Sequence, residues 1–290
     1  MSVRALQRNP SLCCGGLLVS AVLFVAIFHG WLAPYTPEQM DMTRRLAPPG
    51  AAHWLGTDNF GRDLATRLAY GAAVSLSIAV GATAAAAIIG TIVGLLCGYC
   101  RGAVDLVLMR AVDIVLGFPS LILVMALVAV LGPGPRNLGV ALAAVFWTQY
   151  ARVARAATLS ERERDYILAA EAIGVSTLRL LLRHVLPNIA GPLIVLATLG
   201  VGVAIVSESG LSFLGLGVQP PAPSWGWTLA YGLRYLRSDP WMSTAAGLTI
   251  MIAVAGFNLL GDGLRDLLDP RTPTAPTGRW RLPGLQRPAF

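Results

Sequence analysis

The 290-residue chain contains no lysine, only three histidines and few charges of either sign. Charged residues make up 13% of it, against about 25% in a soluble globular domain. Hydrophobic residues make up 55%, and the mean hydropathy is +0.65. This balance excludes a disordered chain, a coiled coil and a water-soluble enzyme, and points to a bilayer as solvent. Cysteine is scarce as well. Cys97-Gly98-Tyr99-Cys100 is a single CxxC, with Cys13 and Cys14 elsewhere, and His29, His53 and His184 stand at no ligand-like spacing. A zinc site needs four ligands, commonly a second such pair, so the cysteines read as small apolar residues at helix ends.

What the chain has in quantity is apolar runs. A hydrocarbon core of about 30 Å takes about 20 residues of helix. Stretches without Asp, Glu or Arg give six spans, near 12–33, 72–98, 107–131, 138–157, 189–212 and 242–262. A seventh stretch, 209–233, holds Gly215, Gly217, Pro220, Pro221, Pro223 and Gly226. These residues break helices, so it reads as a loop with a shallow re-entrant or interfacial part. The expected organisation is an N-terminal segment 1–11, a first span 12–33, an external segment 34–71, a core 72–269 with an internal loop 158–188, and a disordered Pro- and Arg-rich tail 270–290. The fold class is therefore an all-α integral membrane protein.

The net charge is +7, carried by arginines that fall between the apolar blocks, so it reads as membrane topology rather than nucleic-acid binding. With the N-terminus inside, fifteen of the 22 arginines face the cytoplasm, as the positive-inside rule requires. Both termini are then cytoplasmic. The first apolar run is too long for a signal-peptide core, and Ala33 is followed by Pro34, so an uncleaved anchor is expected.

Within the spans, Arg110 and Asp113 are three apart and can pair on one helix face. Gly117-Phe118-Pro119 should kink the third span, and Pro119 is a candidate for shaping a pathway. Glu208 lies about 21 residues beyond Pro187, roughly 30 Å along a helix. That puts it at the outer edge of the hydrocarbon. Two readings stand: an interfacial acid bonded to Ser207, Ser209 or water, or a group facing the pathway or a partner subunit near an outer gate. In the external segment, Asp58, Arg62 and Asp63 are close enough to pair and to fix the entry of the second span.

The internal loop carries the densest signal. Residues 166–173 form a short helix with a small-residue face of Ala169, Ala170 and Ala172, ended by Gly174, which takes φ > 0 without penalty. A basic amphipathic piece follows, with Leu178, Leu181, Leu182 and Val185 against Arg179 and Arg183. Pro187 starts the next membrane helix near its first turn. Such a helix can enter another protein's cleft closely; an ordinary connector on the membrane surface would look the same.

The pattern Tyr166-x-x-Ala169-Ala170-x-x-x-Gly174-x(9)-His184-x-Leu186-Pro187-Asn188 resembles the EAA loop of ABC importer permeases. More narrowly, the chain is similar to the second membrane subunit of dipeptide, oligopeptide and nickel importers. Leu55-Gly56-Thr57-Asp58-Asn59-Phe60-Gly61-Arg62-Asp63, Glu208-Ser209-Gly210-Leu211-Ser212-Phe213 through Gly217, Pro220 to Gly226, and Gly261-Asp262 through Arg271 match that subfamily in order. The one departure is Leu168, which stands where the triplet has Glu; Glu171 lies one turn on.

The resemblance implies a six-span type I ABC importer permease in the plasma (inner) membrane. Its loop, with Tyr166, Ala169, Ala170, Glu171, Gly174, Leu186 and Pro187, would be the coupling helix in the groove of an ATPase. The implied partners are a second permease subunit, two ABC ATPase subunits or domains, an extracytoplasmic solute-binding protein and membrane lipid, with no nucleic acid. The chain has no GxxxxGK[ST] and cannot cradle nucleotide phosphates by that route. ATP and Mg would sit on the partners, this chain would bind no cofactor, and it would be no enzyme. A di- or oligopeptide cargo is expected, with nickel chelates or glutathione-type peptides as the alternative. A secondary transporter would need an inverted repeat, and none is evident.

Overall fold

A computed structural model describes residues 9–268. The N-terminal residues 1–8 and the expected tail 270–290 lie outside the described residues. Ten α-helices are described, with one 3-10 turn at Met42–Arg44. They are α1 (Pro10–Leu32), α2 (Leu64–Cys100), α3 (Gly102–Leu116), α4 (Ser120–Leu131), α5 (Pro135–Arg162), α6 (Asp165–Ala172), α7 (Thr177–Leu180), α8 (Leu186–Phe213), α9 (Trp225–Arg234) and α10 (Trp241–Leu268). The fold is an all-α membrane bundle.

α1 and α10 run antiparallel in close contact. A Cβ on Gly263 would lie 2.6 Å from Leu12, and one on Gly15 would lie 2.7 Å from the backbone of Leu259. Both described chain ends therefore lie at one end of the bundle, called proximal below. α1, α2, the α7–α8 unit and α10 are each long and apolar enough to cross a membrane, and the α3–α4 pair makes a fifth span if counted as one. α5, expected as a span from 138 to 157, is 28 residues long and packs along α2, but with Arg136, Arg152, Arg155 and Arg162 it falls short of that composition.

α2 is the central helix. It begins at Leu64, well before the expected 72, because Asp63 caps it: the Thr66 amide donates to Asp63 Oδ2 at 2.7 Å. Its other carboxylate oxygen pairs with His53 Nδ1 at 2.9 Å. Beside this cap, Arg62 Nε meets Asp58 at 2.6 Å and Arg67 closes on the same carboxylate at 3.6 Å, all three buried. The expected local pairing of the external segment is thus built, and it fixes the entry of α2.

Along the proximal half of α2, Gly90, Gly94 and Gly98 form a stripe at four-residue spacing against α5. A Cβ on Gly94 would lie 2.5 Å from that of Ala154, and one on Gly98 would lie 2.6 Å from that of Thr158. In lipid there is little hydrophobic drive between helices, so this close backbone approach and its dispersion contacts hold the seam.

The third expected span is not a kinked helix but a corner. α3 and α4 meet at 91° across Gly117-Phe118-Pro119. Pro119 has no N–H and excludes helical backbone from the residue before it, so the helix ends and restarts, with Leu123 N donating to Pro119 O. Asp113 does not pair with Arg110 as expected. It accepts from Arg152 of α5 at 2.8 Å, while Arg155 grips Asp105 with two bonds of 2.5 and 2.6 Å. Lying alongside α5, α3 finds its cations on the neighbouring helix, and Arg110 is left exposed.

The stretch 209–233 splits at the distal end. α8 continues to Phe213; after a turn, Ser224 caps the amphipathic α9, which packs on α8 and α10. Trp225 is fully buried and donates to the carbonyl of Leu68 at 3.0 Å.

Candidate functional site

The loop between α5 and α8 lies at the proximal end. α6 is its centre, and its two faces differ. Ile167 and Ala170 are buried in a small second core with Leu95, Ala154, Leu180, Leu181, Val185, Ile189 and Leu193. Asp165, Leu168, Ala169 and Ala172 fall on the opposite stripe and are exposed. Leu168 is 51% exposed, and Ile173, just past the helix, is 82% exposed. Gly174 then turns the chain at φ +81°, with open space around the position of a Cβ. Glycine is required there by the backbone and not by crowding.

Polar bonds fix α6 to its neighbours. The Tyr166 phenol donates to Glu161 at the end of α5 and accepts from Asn188 Nδ2 of α8 at 2.8 Å. Desolvation, together with the Glu161 carboxylate, pushes the phenol's pKa up, so it stays a donor at neutral pH. Arg164 pairs with Glu161 at 3.1 Å, and Arg101 with Glu163 at 2.7 Å. On the inner side, the Tyr99 phenol donates to Glu171 Oε1 at 2.7 Å.

The structure brings together Tyr166, Ala169, Ala170, Glu171, Gly174, Leu186 and Pro187, with two corrections. Ala170 is not on the outward face; it is 9% exposed and packs within the chain, because the helical period sets Ala169 and Ala170 on different sides. Pro187 lies in the first turn of α8, as expected, but that helix continues from the piece before it. Thr177–Phe213 is one helical unit, passing through a π turn at Leu181–Val185. Pro187 would clash with the carbonyl of Arg183 four residues back, and the wide turn just before it makes room. The half-buried Leu186 packs against the second core.

Glu208 and Pro119 lie apart from this site. Pro119 is exposed at the corner between α3 and α4. Glu208 is fully buried within this chain, with an exposure of 0%, and of its expected partners Ser209 is one. It accepts from Ser212 Oγ at 2.8 Å and from Ser209 Oγ at 3.3 Å, while the same Ser212 oxygen accepts from Val218 N at 3.2 Å. The turn after α8 folds back onto the same Ser212, an enclosure that a count along the helix could not reveal. Glu208→Ala should therefore act on stability: it leaves two buried hydroxyls without their acceptor, at a cost of about 1–3 kcal/mol each. Glu208→Gln keeps one acceptor oxygen and should be milder. Thermal melting of the solubilised protein orders the two; equal melting of Glu208→Ala and wild type would contradict the buried role.

The proximal network also contains residues the sequence reading passed over. Tyr99, Glu161 and Arg162 gave no local motif; their partners are remote in sequence or reached only once the loop folds back. The stripe Gly90-x-x-x-Gly94-x-x-x-Gly98 was readable as a close-packing signal.

Comparison with known proteins agrees with this architecture. The family model described as binding-protein-dependent transport system inner membrane component matches residues 90–273, and that of the N-terminal TM domain of oligopeptide transport permease C matches residues 1–49. The dipeptide transport system permease protein DppC of Alkalihalophilus pseudofirmus is 41% identical over 268 residues, covering 92% of this chain and 88% of the relative. The di/tripeptide transport system permease protein DppC of Pseudomonas aeruginosa is 44% identical over 278 residues, covering 94% and 92%. The dipeptide transport system permease protein DppC of Escherichia coli K12 is 44% identical over 271 residues, covering 91% and 90%. With an all-helical membrane bundle, a proximal loop helix and family matches spanning most of its length, the chain belongs to the family of inner-membrane components of binding-protein-dependent transport systems.

Proposed function

We propose that this chain is one membrane-spanning permease subunit of an ATP-driven importer of di- or oligopeptides, and that the outer face of α6 docks a cytoplasmic ATPase. The observation that carries this is the pair of exposed aliphatic side chains, Leu168 and Ile173, beside the small Ala169 and Ala172. The helix is held by Tyr166 and Glu171, so its outer face is presented in a fixed attitude. Full burial of an aliphatic side chain contributes about 1.5–3 kcal/mol, so a partner's groove would gain from covering both. Small residues let that partner approach the helix backbone.

The proximal end is then cytoplasmic, with both termini on that side. A second permease subunit completes the pathway. Two ATPase subunits or domains bind ATP and Mg, and an extracytoplasmic binding protein delivers cargo to the distal end. ATP binding draws the ATPases together and moves α6; the bundle tilts as a body, because α6 shares its inner core with α2, α5 and α8. Hydrolysis resets it. The cargo class is supported by the dipeptide and di/tripeptide transport permeases that align over about nine-tenths of the chain.

Orientation has a direct test. Cys14 and Cys100 are exposed at the proximal end, whereas Cys97 is buried and will report nothing from either side. A membrane-impermeant maleimide should leave Cys14 and Cys100 unlabelled in intact cells and label them in inverted vesicles. Labelling of Cys100 in intact cells would reverse the topology.

A further inference from the structure

Tyr99 is the penultimate residue of α2, and its side chain leaves its own helix to meet α6. Three contacts converge on it. Its phenol donates to Glu171 at 2.7 Å. Its backbone carbonyl accepts from the Arg162 guanidinium at the end of α5. The same guanidinium lies 4.9 Å from the centre of its ring. Glu171 sits on the inner stripe of α6 with Ile167 and Ala170, away from the exposed Leu168 and Ala172.

The placement matters because of what each helix is joined to. α5 leads into α6 within three residues of chain, so contacts between them, such as Tyr166 with Glu161, are local. Glu171 and Tyr99 are 72 residues apart. Their bond is a direct polar tie from the outward-presenting helix to the central helix. α2 is 37 residues long, about 55 Å at 1.5 Å per residue, and its far end is locked into the buried Asp58, Arg62 and Arg67 cluster. A pull on Tyr99 at the proximal end is thus applied to an element that reaches the distal end as one rigid body.

We propose that Tyr99 and Glu171 form a clasp that transmits displacement of α6 to α2, which makes Tyr99 a positioning residue for coupling ATP hydrolysis to transport. This rests on α6 being the helix that docks the ATPase. Coupling through a packed contact needs an element whose two arrangements both sites bias, and the clasp supplies the directional contact between two such elements. The departure at Leu168 fits the same scheme. The acid stands at 171, on the inner stripe of the helix, and serves the chain's own α2, while the outward position holds an apolar side chain.

Two substitutions remove the bond with little else. Tyr99→Phe deletes one hydroxyl and keeps the ring beneath Arg162. Glu171→Leu deletes the acceptor, and Glu171→Gln keeps one. The complete complex, with second permease, ATPases and binding protein, is reconstituted in proteoliposomes, and dipeptide uptake and ATP hydrolysis are measured in the same preparation. In Tyr99→Phe and in Glu171→Leu the peptide transported per ATP should fall about fivefold, the worth of one ordinary hydrogen bond, and in Tyr99→Phe, which leaves the docking helix itself unaltered, complex assembly and basal hydrolysis should be unchanged. Glu171→Gln should stay within about twofold of wild type, and the double variant Tyr99→Phe with Glu171→Leu should be no worse than the weaker single, since both lose the same contact. An unchanged transport-to-ATP ratio in Tyr99→Phe overturns the clasp, as do losses that multiply in the double variant. Ala169→Trp in the same assay reports on the docking face by itself. If it retains full stimulation of ATP hydrolysis by loaded binding protein, the docking reading fails, and the clasp with it.

Discussion

Ala169→Trp should abolish uptake while the protein accumulates in the membrane at the wild-type level. Ala169 is exposed on the outer stripe of α6 and helps no core of its own chain. An indole there meets solvent in the isolated subunit and a partner's surface in the assembled complex. Dipeptide uptake should fall at least tenfold, equivalent to about 1.4 kcal/mol of lost docking free energy, and cargo-loaded binding protein should no longer stimulate hydrolysis. The adjacent Ala170→Trp is the structural contrast. Its side chain would be driven among Leu95, Ile167 and Leu180, and overpacking of that kind costs about 1–3 kcal/mol, so this variant should lose protein from the membrane as well as activity. Gly174→Val lies between the two: it meets no neighbouring atom but must hold a β-branched residue at φ +81°, at a cost of order 1–3 kcal/mol. Normal uptake by Ala169→Trp would leave α6 as a connector.

The largest effect on stability is expected at Gly94. Replacing it by Leu inserts four carbons where even one would lie 2.5 Å from Ala154 Cβ and 2.6 Å from Ala151 O. Both obstacles belong to α5, one of them its backbone, so neither can turn aside. α2 and α5 must separate along the seam, and the loss should exceed about 3 kcal/mol, beyond ordinary single substitutions. Gly81→Leu on the same helix is the control. Nothing lies within 4 Å of its Cβ position, and removing a mid-helix glycine relieves roughly 0.8–1.0 kcal/mol of helix cost. Fluorescence size-exclusion melting of the two variants should show Gly94→Leu aggregated or absent and Gly81→Leu at or above the wild-type midpoint. Similar behaviour of both would mean the seam is looser than its geometry.

Much of this fold could be read from apolar runs and punctuation. The helices α1, α2, α8 and α10 follow from stretches without charge, and the end of α6 follows from Gly174. Asp63 as a helix cap was also present in the sequence, and missing it displaced the start of α2. The errors have a common cause: they concern partners that only tertiary packing supplies. Asp113 had a plausible cation one turn away, yet Arg152 on another helix takes it. Glu208 sat at the right height for an interfacial acid, but within the folded chain it is fully buried against Ser209 and Ser212. Of two adjacent alanines, helical periodicity fixes that they face different ways, but only the position of the second core decides which faces in. The corner at Pro119 exceeds a proline kink because a glycine two residues earlier already loosens the helix end.

The docking of α6 is tested most directly at Ile173, which is 82% exposed in the subunit. In a chain whose four native cysteines are replaced by alanine, Ile173→Cys is introduced and its rate of maleimide labelling is followed in inverted vesicles, with and without the ATPase subunits. The expected result is fast labelling of the permeases alone and at least about tenfold slower labelling once the ATPases are bound, because the thiol is then reachable only in the unbound fraction. Equal labelling rates in the two preparations would contradict an ATPase seated on this face.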